Sequence, residues 1–150
     1  MATQNQPATF KQTQIAYYAM FMGQAFIALM IFYLMQESNG NAPESPFDII
    51  IPGAVVIGFA ASYFIAQQRK NGIPVNGSVQ EKIDHYRTTS IMKWAIMEGG
   101  NLISLVLTFV MANTNYLMWF GLGLAAFVLL RPAKDKFMEE YQINNAEEFK

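Results

Sequence analysis

Residues 15–35 read IAYYAMFMGQAFIALMIFYLM, an apolar run without a charged side chain. At a helical rise of 1.5 Å per residue, such a run covers about 30 Å, the thickness of the hydrocarbon core of a bilayer. Three further apolar stretches follow at Ile49–Ala66, Ile91–Ala112 and Tyr116–Leu130. The pattern predicts an all-α fold, an integral membrane antiparallel four-helix bundle, formed by a single domain over residues 1–150.

The cationic residues are distributed unevenly between the connections. They lie in the head, the middle connection, the start of the third stretch and the tail, at Lys11, Arg69, Lys70, Lys82, Arg87, Lys93, Arg131, Lys134, Lys136 and Lys150. The first and third connections contain no Lys or Arg, and the first is acidic. Because short basic loops stay on the cytoplasmic side of a membrane, we expect a multi-pass protein of the inner (plasma) membrane. Loop 67–90, tail 131–150 and both termini are predicted to be cytoplasmic.

The composition argues against several other classes of protein. Apolar residues make up 53% of the chain and charged residues 14%, against roughly 25% in soluble domains. The net charge of −1 gives no electrostatic attraction to nucleic acid. The absence of cysteine excludes disulfides and thiolate metal sites. His85 is the single histidine, so we predict no metal site there and expect a solvated or interfacial ring.

The middle connection contains a helix start. Ser78 followed by Glu81 has the form of a capping box, which predicts that the third helix begins near Val79. Val79, Ile83 and Tyr86 recur on one side at helical spacing. We therefore expect an amphipathic extension of the third helix that projects into the cytoplasm.

The two ends of the chain differ in pattern. The head is polar up to about Gln14 and is expected to be loosely ordered. After Pro132, the apolar residues Phe137, Met138 and Tyr141 alternate with charged residues. This pattern predicts a short C-terminal surface helix, lying along the inner face of the membrane with its apolar side chains toward lipid.

Glu98 is the one acid deep within a predicted span. It lies roughly 10 Å from the inner end of the third stretch, where an ionised carboxylate costs a few kcal/mol unless it faces protein or water. Asn101, Ser104 and Thr108 follow it at helical spacing. These four side chains are predicted to form a polar stripe that faces the interior of the bundle.

Two other spans carry polar side chains at comparable depth. Gln24 lies in the first span, and we expect its amide to donate a hydrogen bond to the Glu98 carboxylate. Ser62 lies in the inner third of the second span. Two interpretations of this intramembrane polar site, Glu98 with Asn101, Gln24 and Ser62, remain open. In one, Glu98 is a hydrogen-bonded structural node; in the other, it binds a proton or a cation.

Two further groups of residues are assigned to packing and anchoring. The small residues predicted to bring helices close together are Gly58, Gly99, Gly100, Gly121 and Gly123. The residues predicted to anchor the bundle at the membrane interfaces are Lys93, Trp94, Trp119 and Arg131.

Residues 85–100, HYRTTSIMKWAIMEGG, and residues 129–132, LLRP, carry a resemblance to a known family. The chain resembles a family of small uncharacterised four-span bacterial inner-membrane proteins, with a YR…IxxWAxxEG core and an RP pair after the last span. The matching positions are Tyr86, Arg87, Trp94, Glu98, Gly99, Arg131 and Pro132. The resemblance implies the fold, a bacterial inner-membrane location and a role for Glu98, but no particular activity.

Glu98 also invites comparison with two families of small membrane proteins that carry an intramembrane glutamate. A mid-helix glutamate resembles that of the rotor proteolipids of rotary ATPases and of small multidrug transporters. This chain lacks the glycine repeats of the former, and its glutamate lies in the third span, not the first.

The sequence contains no Ser-His-Asp arrangement, nucleophile elbow or paired carboxylates, so we expect neither enzymatic activity nor a cofactor. The leading hypothesis is a non-enzymatic integral membrane protein, a small subunit or accessory factor of a larger membrane assembly. The alternative is a small oligomeric transporter or channel in which Glu98 binds a proton or cation. The expected partners are the lipid bilayer and either other membrane proteins or further copies of the chain.

Overall fold

The computed structural model describes residues 9–36, 46–74 and 76–143, and the regular structure in these segments is entirely helical. The helices are α1 (Phe10–Met35), α2 (Phe47–Lys70), α3 (Val79–Val110), α4 (Tyr116–Leu129) and α5 (Lys134–Glu140). Most of the predicted external loop, the first residues of the head and the end of the tail lie outside the described residues.

Two of the helices, α1 and α2, are long and apolar enough to cross a membrane. α4 and α5 would add a third if they formed one span with a bend of 59° between them. α3 is not in this group, and polar residues interrupt its apolar surface. The chain is therefore all-helical with two or three candidate spans, while the count of four stays a prediction.

α3 lies at the centre of the arrangement and packs against α2, α4 and α1, most extensively against α2. Two glycines lie at the α2–α3 contact. A Cβ atom on Gly100 would lie 2.9 Å from the carbonyl oxygen of Ala54, which is too close, so the absence of a side chain there lets the helix backbones approach closely. A Cβ atom on Gly58 would lie 3.5 Å from the carbonyl oxygen of Ile96, an ordinary van der Waals distance.

The main core lies between α1, α2, α3 and the end of α4. Its centre is the buried cluster of Tyr17, Val55, Trp94, Met97 and Phe127. The Tyr17 ring stacks on Phe127 with 5.2 Å between ring centroids, and its hydroxyl donates to the Phe127 carbonyl oxygen over 3.2 Å. The Trp94 indole donates to the carbonyl oxygen of Leu130 over 3.0 Å. These bonds tie α1 and α3 to the last turn of α4.

A second core lies beyond the end of the main one, and we call it the terminal core. It contains the buried residues Phe10, Ile83, Phe137, Tyr141 and Ile143, with Ile73, Val79 and Tyr86 packed around them. It therefore joins the first turn of α1, the start of α3, and α5 with the residues that follow it.

The terminal core corrects the prediction for the tail. Phe137 is fully buried and Tyr141 nearly so, so these side chains do not lie against lipid. The apolar face of the α3 extension, which includes Ile83 and Tyr86, is covered by the apolar face of α5 instead. Packing two amphipathic segments against each other removes both faces from water within one chain.

Two of the helices, α3 and α1, begin at capping boxes. The prediction that α3 begins at Val79 is confirmed: Ser78 accepts from the Glu81 amide, and the Glu81 carboxylate accepts from the Ser78 amide. A second capping box, formed by Thr9 and Gln12, starts α1 at Phe10. The expectation of a loosely ordered head up to Gln14 is therefore wrong from Phe10 onward.

Candidate functional site

The intramembrane polar site centres on a hydrogen bond between α3 and α1. The Asn101 side-chain amide donates to the side-chain carbonyl oxygen of Gln24 over 2.8 Å, and both side chains are fully buried. Asn101 Oδ1 and Gln24 Nε2 have no hydrogen-bond partner among the described residues. A Cβ atom on Gly123 of α4 would overlap Asn101 Oδ1, so the glycine leaves the space that this carbonyl group occupies. The three helices α1, α3 and α4 thus meet at one polar layer.

The predicted hydrogen bond between Gln24 and Glu98 is wrong, since Gln24 bonds to Asn101. Glu98 is half-buried and has no hydrogen-bond or ion-pair partner in the described part of the chain. At about 100° per residue, Glu98 and Gly100 lie about 200° apart around the helix. Because Gly100 packs against α2, the Glu98 side chain points away from α2. It therefore lies at the edge of the polar stripe, outside the buried layer.

The hydroxyl groups on the polar stripe are satisfied within their own helices. Thr108 donates to the Ser104 carbonyl oxygen over 2.7 Å, and Ser104 donates to that of Gly100 over 3.4 Å. Ser62 on α2 is fully buried and donates to the carbonyl oxygen of Phe59 over 2.8 Å. Ser62 therefore does not join the Gln24–Asn101 pair, and the structure unites only part of the predicted polar site.

Two of the five predicted packing glycines do not pack helices within this chain. Gly99 and Gly121 are exposed, and a Cβ atom on either would meet no described atom within 4 Å. Their neighbours Gly100 and Gly123 are buried at helix contacts. In each of the pairs Gly99–Gly100 and Gly121–Gly123, only the second glycine faces a neighbouring helix.

The predicted interface anchors occupy three kinds of environment. Trp94 is fully buried in the main core, so an anchoring role among lipid headgroups is wrong for this side chain. Trp119 is half-buried and packs against the same core. Arg131 is exposed, and Lys93 is half-buried in the wall of a cavity.

That cavity, which we call the basic cavity, has a volume of about 310 Å³. It lies between the ends of α2 and α4, the first half of α3, and α5. Its charged lining consists of four cations and one carboxylate: Arg69, Lys70, Lys93, Lys136 and Glu140. His85, Thr89, Ser90 and Tyr141 supply polar groups to the same wall.

Only one of the four cations of the basic cavity is paired with a carboxylate of the described residues. Lys70 forms an ion pair with Glu140, with 3.6 Å between Nζ and Oε1. The Arg69 Nε group donates to the Thr89 hydroxyl over 2.9 Å, which orients the guanidinium. Arg69, Lys93 and Lys136 form no ion pair with an acid in the segments that the structure describes. The cavity therefore carries a net positive charge.

Neutral groups line the side of the cavity next to the terminal core. His85 Nδ1 lies 2.6 Å from the Tyr141 hydroxyl oxygen, a hydrogen-bond distance. Burial lowers the pKa of His85 below its usual value, and the positive charge of Arg69 lowers it further, against a smaller opposing effect of Glu140. Burial raises the pKa of Tyr141. Both side chains are therefore neutral near pH 7.

The basic cavity was not predicted from the sequence. The sequence pattern identifies its cations as topology signals and interface anchors, and it does not indicate the contact of His85 with Tyr141. The available signal was Lys93, a lysine inside an apolar stretch, together with the Arg69–Lys70 pair at the inner end of another. Among the described residues, no group of three or more His, Cys, Asp or Glu side chains is arranged to hold a metal ion.

Comparison of the chain with protein-family models, with curated proteins and with solved structures gives no significant match.

Proposed function

We propose that this chain is a four-span protein of the bacterial inner membrane that acts as a non-enzymatic subunit or accessory factor of a larger membrane assembly. The observation that carries the membrane assignment is that apolar side chains lie on the outside of the helices and polar side chains lie inside, the reverse of a water-soluble protein. Large apolar side chains such as Met22, Phe26 and Leu29 on α1 are exposed, whereas the polar Gln24 and Asn101 are fully buried. An extensive exposed apolar surface requires lipid or protein to cover it.

The terminal core supports an even number of spans. Phe10 near the start of the chain and Phe137 near its end stack with 5.6 Å between ring centroids. The start of α3, at Ile83, belongs to the same cluster. The head, the middle connection and the tail therefore leave the bundle at one end, and these segments contain every Lys and Arg residue except Lys93, which lies near the start of the third apolar stretch. Four spans with this end in the cytoplasm satisfy both observations.

The accessory role is supported by the sealed interior and by an open apolar groove. The Gln24–Asn101 layer has no exposure to solvent, which favours a structural tie over a polar route through the bundle. On the outside, α1 and α4 separate around an apolar groove of about 370 Å³. Ala25 and Ala28 contribute to its walls, and small residues of this kind allow helices to approach closely in membranes.

The topology is testable directly because the chain has no cysteine. We expect a single cysteine introduced by Ser38→Cys to react with a membrane-impermeant maleimide in intact spheroplasts. Asn76→Cys, in the middle connection, should react only after permeabilisation. Labelling of Ser38→Cys only after permeabilisation would contradict the proposed threading.

The accessory role is tested by purification from the native membrane in a mild detergent, followed by mass spectrometry. We expect another membrane protein at stoichiometric levels. Recovery of this chain alone, as a monomer or a self-associated species, would contradict the proposal. The variant Gly121→Leu tests the contact itself, because Gly121 is exposed and the added side chain lies outside the chain's own core. It should weaken binding of the partner without unfolding the bundle.

A second candidate function rests on Glu98. Its carboxyl group lacks a protein partner in the described residues, and a carboxylate at this depth needs a proton, a cation or a group from another chain. A small transporter would use this group as its binding site. The isosteric Glu98→Gln variant should then abolish pH-dependent transport in reconstituted vesicles. Transport that persists in this variant would eliminate this candidate function.

A further inference from the structure

We propose that the basic cavity binds a phosphate group, presented either by a membrane lipid headgroup or by a small phosphorylated compound of the cytoplasm. Binding of the lipid form rests on the proposed topology, because the cavity must then face the inner leaflet. Binding of the soluble form does not depend on it.

The first argument is charge. Four cations line the cavity, and its single carboxylate, Glu140, is paired with Lys70. Like charges held together without counterions repel one another, and the repulsion grows as water is excluded. An anion that enters the cavity relieves it. A phosphate carries enough negative charge to interact with several of these cations at once.

The second argument is the orientation of the donors. Arg69 Nε is bonded to Thr89, and Nη1 lies 3.7 Å from the sulfur of Met92. These contacts fix the plane of the guanidinium before a ligand arrives, and a fixed guanidinium suits the bidentate recognition of phosphate oxygens. Lys93 is half-buried on the next helix, and Lys136 reaches the cavity from α5. The three cations come from three different helices and surround one space.

The third argument is size and position. A volume of about 310 Å³ accommodates a phosphate with a small polar substituent such as glycerol. Leu130, at the end of α4, also lines the cavity. This wall of the cavity therefore lies at the level where the apolar helix α4 ends. In the proposed topology this level is that of the inner headgroups, and basic pockets between helices on this side of a membrane bind anionic headgroups.

The test uses the full-length protein purified in a neutral detergent, with two probes in separate arms. The lipid arm titrates phosphatidylglycerol, with phosphatidylcholine as a zwitterionic comparison, and counts bound lipids by native mass spectrometry. The soluble arm titrates glycerol 1-phosphate by calorimetry. Saturable binding of phosphatidylglycerol alone assigns a lipid headgroup, and binding of glycerol 1-phosphate assigns a soluble phosphate.

Arg69→Gln should weaken binding of the successful probe about tenfold, since it removes a charge-assisted hydrogen bond. The matched control is Arg131→Gln, which removes an exposed arginine at the end of α4 that does not line the basic cavity. Lys136→Gln provides a second test at an exposed position on α5, where the fold tolerates the change.

Two outcomes would overturn the inference. One is that neither probe binds, and the other is that Arg69→Gln and Lys136→Gln weaken binding no more than Arg131→Gln. Either result leaves the membrane topology and the accessory role intact, because cysteine labelling and native purification test those separately. Conversely, if the topology test fails but glycerol 1-phosphate binds saturably, the proposed phosphate site stands and only the proposed topology is rejected.

Discussion

The side chains of Asn101 and Gln24 are hydrogen-bonded over 2.8 Å at a point where neither is exposed to solvent. The bond joins α3 to α1, two helices that are distant in sequence. It uses one donor and one acceptor of the two amides, and the remaining carbonyl of Asn101 lies in the space left by Gly123. In an apolar interior, such a bond favours one rotational and axial register of the helices, because an unpaired buried amide is costly there.

The first prediction concerns this bond. Gln24→Leu leaves the Asn101 amide unpaired, and Asn101→Leu leaves that of Gln24 unpaired, so each single variant should lower the free energy of unfolding. The double variant removes both polar groups and should lose less than the sum of the two. We expect a coupling energy of about 1 kcal/mol, the size found for side-chain hydrogen bonds between membrane helices.

The measurement is a double-mutant cycle by unfolding of the purified protein in mixed detergent micelles. If the loss of free energy in the double variant equals the sum of the losses in the two single variants, the bond contributes no stability. A loss in the double variant larger than the sum of the two single losses would show that two leucines do not fit the layer.

The second prediction concerns the glycine that accommodates Asn101. Gly123→Ala places a methyl group where the Asn101 carbonyl oxygen lies, so the amide must move and its bond to Gln24 must weaken. Overpacking of this kind costs about 1–3 kcal/mol. The matched control is Gly121→Ala, two residues away, where the new methyl group meets no atom of the described chain within 4 Å.

Thermal unfolding of the two purified variants, side by side, tests the prediction. Gly123→Ala should unfold at a lower temperature than the wild type, and Gly121→Ala should match or exceed it because alanine favours the helix. Equal effects of the two substitutions would mean that Gly123 does not determine the position of Asn101.

These local relationships show which parts of the fold the sequence could predict. The capping box at Ser78 and Glu81 predicts the start of α3 because it depends on residues three positions apart. The bounds of the apolar runs likewise approximate α1, α2 and α4. Such features are governed by neighbours along the chain.

The partner of Gln24 could not be predicted from depth alone. Glu98 and Asn101 differ by only about 4.5 Å along α3, and both lie toward its polar side. The choice between them depends on how α1 and α4 pack around α3, and in particular on the space at Gly123. The position of a helix relative to its neighbours is a property of the assembled bundle.

The terminal core and the basic cavity were missed for a related reason. Periodicity identifies an apolar face such as that of Phe137 and Tyr141, but lipid or protein can cover such a face equally well. The cations of the cavity come from α2, α3 and α5, so their convergence depends on where α5 docks. Once α5 packs on the α3 extension, both features follow.

The third prediction tests that docking. Phe137 is fully buried against Phe10 and Tyr86, and Phe137→Ala should cost about 3–5 kcal/mol in local stability. α5 should then detach, and trypsin should cleave at Lys134 and Lys136 more rapidly than in the wild type. Limited proteolysis in detergent, followed by mass spectrometry, measures the rate.

Exposed Glu139→Ala on the same helix, away from both cleavage sites, is the control and should leave the cleavage rate unchanged. An unchanged rate in Phe137→Ala would indicate that the contacts with α1 and α3 do not hold α5 in place. The original expectation, a helix held by the membrane surface, would then regain support.

The fourth prediction concerns pH. Burial and the charge of Arg69 lower the pKa of His85 below its value of about 6.5 in the unfolded chain, against the smaller effect of Glu140. The folded state therefore binds fewer protons than the unfolded state between the two pKa values. The stability that neutral His85 contributes is fully present above about pH 6.5 and is lost as the pH falls toward the lowered folded value. Tyr141, whose pKa burial raises, stays protonated throughout and does not contribute to the change.

Hydrogen exchange of the α5 amides at pH 7.5 and pH 5.5, corrected for the intrinsic rates, measures this loss. We expect weaker protection at the lower pH in the wild type and a smaller difference in His85→Gln, which keeps a polar side chain next to Tyr141 but does not titrate. Glu140 also faces the cavity, so Glu140→Gln controls for its protonation. If His85→Gln keeps the full pH dependence and Glu140→Gln removes it, the carboxylate and its ion pair with Lys70, and not the imidazole, control the stability of the terminal core.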